Sequence, residues 1–369
     1  SGLRLTGEAV SIRLEPTTEI RLLPGSNCAM LMNDPAEEAP HDIYLAGGIW
    51  NMDNMNQAPN PLHPEVPSKS AYKHLPFKQY AGIPIDFHGV TRLTISGLTM
   101  RNPTLFAVRL TDVTYFTVEN MRFDFQTVNP IYLNLDGIHV NSGCRFGVIR
   151  NLQGVCYDDL VAINADEGDY SAPIENIEVD GIFAENCHSA VRLLSVCSRV
   201  DNISISNVYG TFYCYTIGIT QYFDGKGKRS NFGRLSFSNI FASEGKCAPG
   251  YHTPNGFPLI SGEGQSDVEY LSISHLHRKE ALKTRPTIEI PEGMHVKNLT
   301  ISNCSQTNET GKEILFLNNS GEIDRLSVRD LYIPEKPVIG GKGRIHAFEC
   351  DASASFLMRK PEAAEQEER

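Results

Sequence analysis

Asp136, in Asn134-Leu135-Asp136-Gly137-Ile138, and the doublet Asp158-Asp159, in Tyr157-Asp158-Asp159-Leu160-Val161-Ala162-Ile163-Asn164, are the residues best suited to acid–base chemistry. They lie 22 residues apart (158 − 136), each beside an apolar run of strand type. If the chain coils with about that period, they stack on neighbouring coils and face each other. Crowded carboxylates raise one another's pKa, so one stays protonated as an acid while another is ionised as a base. Such pairs hydrolyse glycosidic bonds. Read singly, Asp136 is a turn residue before Gly137 and the doublet caps a turn. Three carboxylates one coil apart favour chemistry, because a turn needs no crowding.

Other polar residues gather round this stretch. His188 falls 29 residues beyond Asp159 (188 − 159), one coil if the acidic segment from Asp166 to Ser171 is an insertion. It is read either as a partner that tunes a carboxylate or as a half-buried structural histidine. Arg192 is read either as a grip on a sugar hydroxyl or carboxylate, or as a surface arginine. His139, three residues after Asp136, alternates to the other side of a strand and is expected to take no part. Asp166-Glu167-Gly168-Asp169 lacks EF-hand spacing and reads as a solvated acidic loop. No metal site and no cofactor are expected: no phosphate loop, Ser-His-Asp order or His-rich cluster stands out.

The elements that must position these residues come from a repeated phrase. It runs as Val90-Thr-Arg-Leu-Thr-Ile-Ser-Gly-Leu, Val113-Thr-Tyr-Phe-Thr-Val-Glu-Asn-Met, Ile174-Glu-Asn-Ile-Glu-Val-Asp-Gly-Ile and Val200-Asp-Asn-Ile-Ser-Ile-Ser-Asn-Val. Later copies start at Gly233, Val268, Val296 and Ile323, and Phe146 opens a shortened one. Start-to-start spacings include 23 (113 − 90), 26 (200 − 174), 28 (296 − 268) and 27 (323 − 296) residues. Period-two alternation means strand, and such repeats mean a solenoid. The unit is too short for a propeller blade of ~40–45 residues and lacks the leucine-rich pattern. The expected fold is therefore all-β, a single-domain right-handed parallel β-helix over residues 1–360. Asn, Asp and Gly after each strand suit the left-handed backbone of sharp turns. Residues 51–88, with six prolines from Pro59 to Pro84, read as a long inserted loop that walls a site. Residues 361–369 read as a charged tail.

Bulk properties exclude several classes. The formal net charge of −11 argues against nucleic acid and anionic membranes. No apolar run is long enough to predict a membrane span. Nine scattered cysteines without a Cys-x-x-Cys pair read as free thiols, which favours a reducing, cytoplasmic compartment. No signal peptide is seen in this chain; a secreted or periplasmic setting would follow if one had been removed.

The chain resembles glycoside hydrolase family 28, the polygalacturonases and their relatives, over roughly residues 20–240. Ala46-Gly47-Gly48-Ile49-Trp50-Asn51 is similar to an early Gly-Gly-x-Ile-x-Gly segment, and Arg101–Val108 to an Asn-Ser-Pro-x-Trp segment. Asn134–Ile138 is similar to Asn-Thr-Asp-Gly-Ile, Asp158–Ile163 to Gly-Asp-Asp-Cys-Ile-Ala-Ile, and His188 falls near Gly-His-Gly. The resemblance implies a right-handed β-helix that cleaves glycosidic bonds with inversion. It implies Asp158 as general acid, Asp136 and Asp159 as activators of water, and His188 as their support. Asn134, Tyr157, Arg192 and Gln221 are the expected substrate contacts.

Departures from the family concern the sugar. The later Arg-Ile-Lys that holds a galacturonate carboxylate has no counterpart in Tyr215-Thr216-Ile217-Gly218-Ile219-Thr220-Gln221. Arg192, Lys226, Lys228 and Arg229 are the cations available to replace it. Tyr157 and Cys187-His188-Ser189 also depart, and the acidic segment would repel a polyanion. The expected activity is hydrolysis of a plant or other complex poly- or oligosaccharide, neutral or branched rather than plain polygalacturonate. The alternatives are a polysaccharide lyase and a non-catalytic glycan-binding β-helix. The sequence leaves linkage, endo or exo action and oligomeric state open.

Overall fold

A computed structural model describes residues 2–6, 8–33, 40–59, 82–129, 134–167, 171–250, 256–334 and 338–351. The chain winds as a right-handed parallel β-helix with a 12-stranded and a 15-stranded parallel sheet. No helix among the described residues is long and apolar enough to cross a membrane.

The repeated phrase maps onto the 15-stranded sheet without a slip. Val118, Ile149, Val179, Ile205, Phe237 and Ile273 are register partners on successive coils, all buried. Val108, Ile138, Val161, Val191 and Ile217 form the facing column of the 12-stranded sheet. Burying each such side chain contributes about 1.5–3 kcal/mol, so the two columns hold the coil closed. Register is strongly set, because a one-residue slip would turn a whole column to solvent.

The Asn, Asp and Gly positions bend strands rather than end them. Asn120, Asn151, Gly181, Asn207 and Asn239 sit at successive corners with φ of 56°, 55°, 82°, 57° and 54°. The strands run through these corners; Arg199–Phe212 contains Asn207 at its bend. Only Gly adopts this backbone freely, and Asn is the side chain that tolerates it best. The corner amides also bond along the axis, Asn151 Nδ2 to Asn120 Oδ1 at 2.7 Å and Asn207 Nδ2 to Asp180 Oδ1 at 2.6 Å.

The segment 51–88 is partly strand: Asn51 closes Ile49–Asn51, and Ile85–His88 joins the 12-stranded sheet. Its stretch 60–81 and the tail 361–369 lie outside the described residues. Trp50 is fully buried and donates from Nε1 to Gly47 O at 3.1 Å, so it offers no platform to a ligand. All nine cysteines are free thiols.

Asn207 separates backbone from side-chain effects at a corner. Asn207→Gly should lose only side-chain bonds, the one to Asp180, about 0.5–1.5 kcal/mol, and the longer one accepted from Asn239 Nδ2 at 3.4 Å. Asn207→Val should lose a further ~1–2 kcal/mol, because a β-branched residue resists positive φ. Urea unfolding of both variants checks this, and equal midpoints would refute the backbone account.

Candidate active site

The site is built where the chain turns into the 12-stranded sheet. Ile138 pairs with Val161 and Asn141 with Asn164. By that register Asp136 lies level with Asp159 rather than with Asp158. Asp159 N–H donates to Asp136 Oδ1 at 3.1 Å, and Gly137 N–H donates to Asp159 O at 3.0 Å. On the next coil Asp159 pairs with Ser189, so His188 lies level with Asp158. This coil is longer than the one before it, and the extra length belongs to the acidic turn that the sequence marked as an insertion.

Burial divides the three aspartates. Asp136 and Asp159 are fully buried, whereas the Asp158 side chain is 15% exposed. One atom each of Asp158, Asp159 and His188 lie within 4.8 Å of one another. His188 Nδ1 is 2.8 Å from Ser189 Oγ and 3.6 Å from Asp158 Oδ1, and its ring meets Tyr213 edge-on. Burial pushes the His188 imidazole down to about 4, so it stays neutral at ordinary pH.

The carboxyls of Asp136 and Asp158 are both held well above the usual range, by burial first and then by the charge of Asp159. Asp136 has a backbone donor in Asp159 N–H. His139 adds a contact, Nδ1 to Asp136 Oδ2 at 2.7 Å. Hydrogen bonds to a carboxylate favour its charged form. No such main-chain donor reaches the Asp158 carboxyl among the described residues, so the shared proton rests best on Asp158.

His139 corrects the expectation drawn from alternation. Asp136 precedes the strand Ile138–Asn141 and sits in a turn, so strand parity does not separate the two. His139 is buried, its Nε2 is 3.9 Å from Glu167 Oε2, and its ring stacks on Phe106 with centroids 3.9 Å apart. Burial lowers its pKa to about 4.

The acidic turn is also not a solvated loop where it is described. Asp166 Oδ2 accepts from the N–H groups of Val196, Cys197 and Ser198, which pins the next coil's turn. Glu167 accepts from Asn164 Nδ2 and lies 3.6 Å from Arg192 Nη2. Arg192 Nε is 2.8 Å from Asp159 Oδ2 but out of line for a hydrogen bond, so the contact is Coulombic. Arg192 thus stands between two carboxylates as the counter-ion of the site. Asp158, Asp159 and His188 have spacing that a metal ion could use, but this guanidinium already puts positive charge beside Asp159.

Two residues went unassigned in the sequence. Glu167 is reached only through an insertion. Tyr215 continues the column Asp159–Ser189 by one further coil, the same step that takes Val191 to Ile217. Its hydroxyl donates to Asp159 Oδ1 at 3.3 Å, and its ring lies over Gly218, where an added Cβ would sit 2.7 Å from Tyr215 Cε2. The register of the repeat is the signal that could have found it.

The expected substrate contacts are spread out. Arg192 is in the site. Asn134 is half-buried in the left-handed region with φ 54°, two residues before Asp136. Tyr157 donates its hydroxyl to Phe125 O at 3.3 Å. Gln221 spends its amide on the turns around it: Nε2 donates to Val196 O and Lys228 O, and Oε1 accepts from Gln265 N–H. Arg229 is held by Asp267, Gln265 and Gly293 O.

Crowding has a consequence for stability. A carboxyl whose folded pKa lies above its unfolded value stabilises the fold fully below the unfolded pKa, about 3.9 for Asp. That contribution is lost as pH rises through the folded value. Asp158→Asn removes the Asp158 share of the dependence and leaves that of Asp136. The variant should melt above the wild type at pH 8, by about 2 °C or more, and the gap should close towards pH 4. Melting curves across that range decide it; a wild type that melts higher at pH 8 would contradict the crowding.

Comparison with known proteins adds the fold. The structure is similar to a hyperthermoactive exopolygalacturonase from Thermotoga maritima, with TM-score 0.56 and 13% identity, over 90% of this chain and 81% of that one. It also aligns with a family 28 exopolygalacturonase from Yersinia enterocolitica (TM-score 0.46, 12% identity, 95% of this chain and 72% of that one). A third is an endo-xylogalacturonan hydrolase from Aspergillus tubingensis (TM-score 0.42, 14% identity, 94% and 90%). No protein-family model matches the chain, and no curated protein matches it in sequence. At such identities the likeness to the Thermotoga enzyme is one of fold.

Proposed function

We propose that this β-helix is a glycoside hydrolase in which Asp158 is the general acid and Asp136 with Asp159 activates the attacking water. The observation that carries this reading is the convergence of Asp158, Asp159 and His188 within 4.8 Å, with Asp136 bonded to the backbone of Asp159. Asp158 is the acid because it combines a raised pKa with access to solvent. His188, neutral and held by Ser189 Oγ, packs 3.6 Å from its carboxyl and confines it. His139 and the Asp159 N–H keep Asp136 turned towards Asp159. Tyr215 and Arg192 fix the two oxygens of Asp159.

Carboxylate spacing and burial bear differently on the stereochemistry. Acid and base in inverting enzymes are ~6.5–9.5 Å apart, and the ~5–5.5 Å of retaining enzymes suits direct attack. The approach of Asp158 to Asp159 lies below the inverting range. A nucleophile, however, must touch the anomeric carbon, and Asp159 and Asp136 are both fully buried. Such burial bars water as well as a sugar, so a bound substrate must open a path for one water to these carboxylates, and inversion is the reading because the resemblance to family 28 implies it.

The substrate reading follows from Arg192. A guanidinium already shared by Asp159 and Glu167 is a poor receptor for a uronate carboxylate. Glu167 adds negative charge beside it. A neutral or branched glycan therefore fits better than plain polygalacturonate.

A panel of plant and microbial glycans, incubated with wild type and Asp158→Asn, tests the reading. Reducing ends should appear with at least one neutral or branched glycan, and the variant should be slower by about 10²–10⁴-fold, the usual worth of a general acid. Polygalacturonate cleaved as fast as any other glycan would overturn the substrate preference. NMR of the first-formed anomer should show inversion; retention would make Asp159 or Asp136 a nucleophile.

A further inference from the structure

Far from this site, three successive coils near the C-terminal end place two imidazoles and two carboxylates on one patch. Glu322 and Asp324 lie two residues apart on the strand Glu322–Tyr332 and flank the buried Ile323. His295, one coil earlier, is the register partner of Glu322. His346 follows Ile345, the partner of Ile323 one coil later, and so lies level with Asp324.

The side chains do not pair with their level neighbours. His295 Nε2 crosses to Asp324 Oδ1 at 2.9 Å, and His346 Nε2 crosses to Glu322 Oε1 at 2.7 Å. The two diagonals bring both Nε2 atoms and both carboxylates over the middle strand. One atom each of Glu322, Asp324 and His346 lie within 4.8 Å of one another. Ordinary surface pairing gives no reason for this crossing, since an exposed ion pair is worth only ~0–1 kcal/mol whichever partner it takes.

A bound cation does give a reason. Bonds of about 2.0–2.2 Å to nitrogen and oxygen in a tetrahedron put ligand atoms ~3.3 Å apart. Among Glu322, Asp324 and His346 the present separations of 2.7–4.8 Å bracket that value, and His295 Nε2 stands beside this group of three, 2.9 Å from Asp324 Oδ1. Two carboxylates balance a divalent charge. The other nitrogen of His295, Nδ1, faces Asp267 Oδ1 at 4.0 Å, and Asp267 is anchored by Arg229 at 2.8 Å. A carboxylate hydrogen-bonded behind a metal-bound histidine fixes its tautomer, and Asp267 stands just beyond that reach of Nδ1. The four side chains are 30–51% exposed, so an ion can enter without unfolding.

We propose that His295, Glu322, Asp324 and His346 form a site for a divalent transition ion of the zinc type. Two nitrogen and two oxygen donors suit Zn²⁺, whereas Ca²⁺ and Mg²⁺ favour oxygen alone. Bound there, the ion joins three successive coils through their side chains. The site is independent of the hydrolase reading and takes no part in it.

ZnCl₂ titrated calorimetrically into the full chain, after EDTA treatment and dialysis, tests the proposal. Zn²⁺ should bind and raise the melting temperature. His295→Ala/His346→Ala should lose at least tenfold in affinity together with the melting shift, while Asp158→Asn keeps both. Should the histidine variant fold poorly without metal, Glu322→Gln/Asp324→Asn serves in its place, with the same loss expected. Co²⁺ should give the visible absorption of a tetrahedral site in wild type alone. No binding, or equal binding and equal melting shifts in wild type and the double variants, would overturn the site and assign any bound zinc to the free thiols.

Discussion

In-register stacking of parallel strands, ~4.7–4.9 Å apart, governs everything else in this molecule. Each side chain on a strand stands level with the residue one coil away, and only long exposed side chains reach past it to another. Apolar positions gain from this, and the columns through Val118 and Val108 are the result. Charged positions suffer from it unless signs alternate. The outward row of the 12-stranded sheet obeys: Asp86 is followed by Arg109, which clasps it through two bonds of 2.9 and 2.6 Å, and then by His139. Asp136 over Asp159 breaks the rule. That stack stands at the turn, where a backbone N–H and an arginine from the following coil reach in to compensate.

Compensation at the turn is incomplete, which gives the site its chemical character. Three aspartates and Glu167 share one guanidinium in a region from which water is largely excluded. Proton affinity there is set by burial before it is set by any single pair. The aspartates differ mainly in what holds them: Asp136 by donors, Asp159 by Arg192 and Tyr215, Asp158 by its opening to solvent. Identical side chains thereby acquire different duties without any change of residue type.

The fold was legible because its signal repeats. Each copy of the phrase carries a core column and a corner residue, so an error in reading one copy is corrected by the others. The three aspartates and His188 were legible because each lies about one coil from the next along the chain. Their exact facing was not: counting along the chain from motif to motif pairs Asp136 with Asp158, whereas the register of Ile138 on Val161 pairs it with Asp159. His139 was misread because alternation was applied across a turn, where it has no force. Glu167, Tyr215 and the crossed histidines depend on the lengths of insertions between coils. Such lengths show in a sequence only after the register is known.

The packing of Tyr215 over Gly218 bears on how such a site changes through descent. No side chain fits at 218 while the tyrosine ring lies there, and Gly218 is the register neighbour of Arg192. A lineage that placed a cation at 218 would first have to move or replace Tyr215, losing a contact to Asp159 before gaining anything in exchange. The two arrangements are separated by a pair of coupled substitutions, neither favourable alone. Relatives that differ in which coil supplies the positive charge should therefore fall into discrete groups, with few intermediates between them.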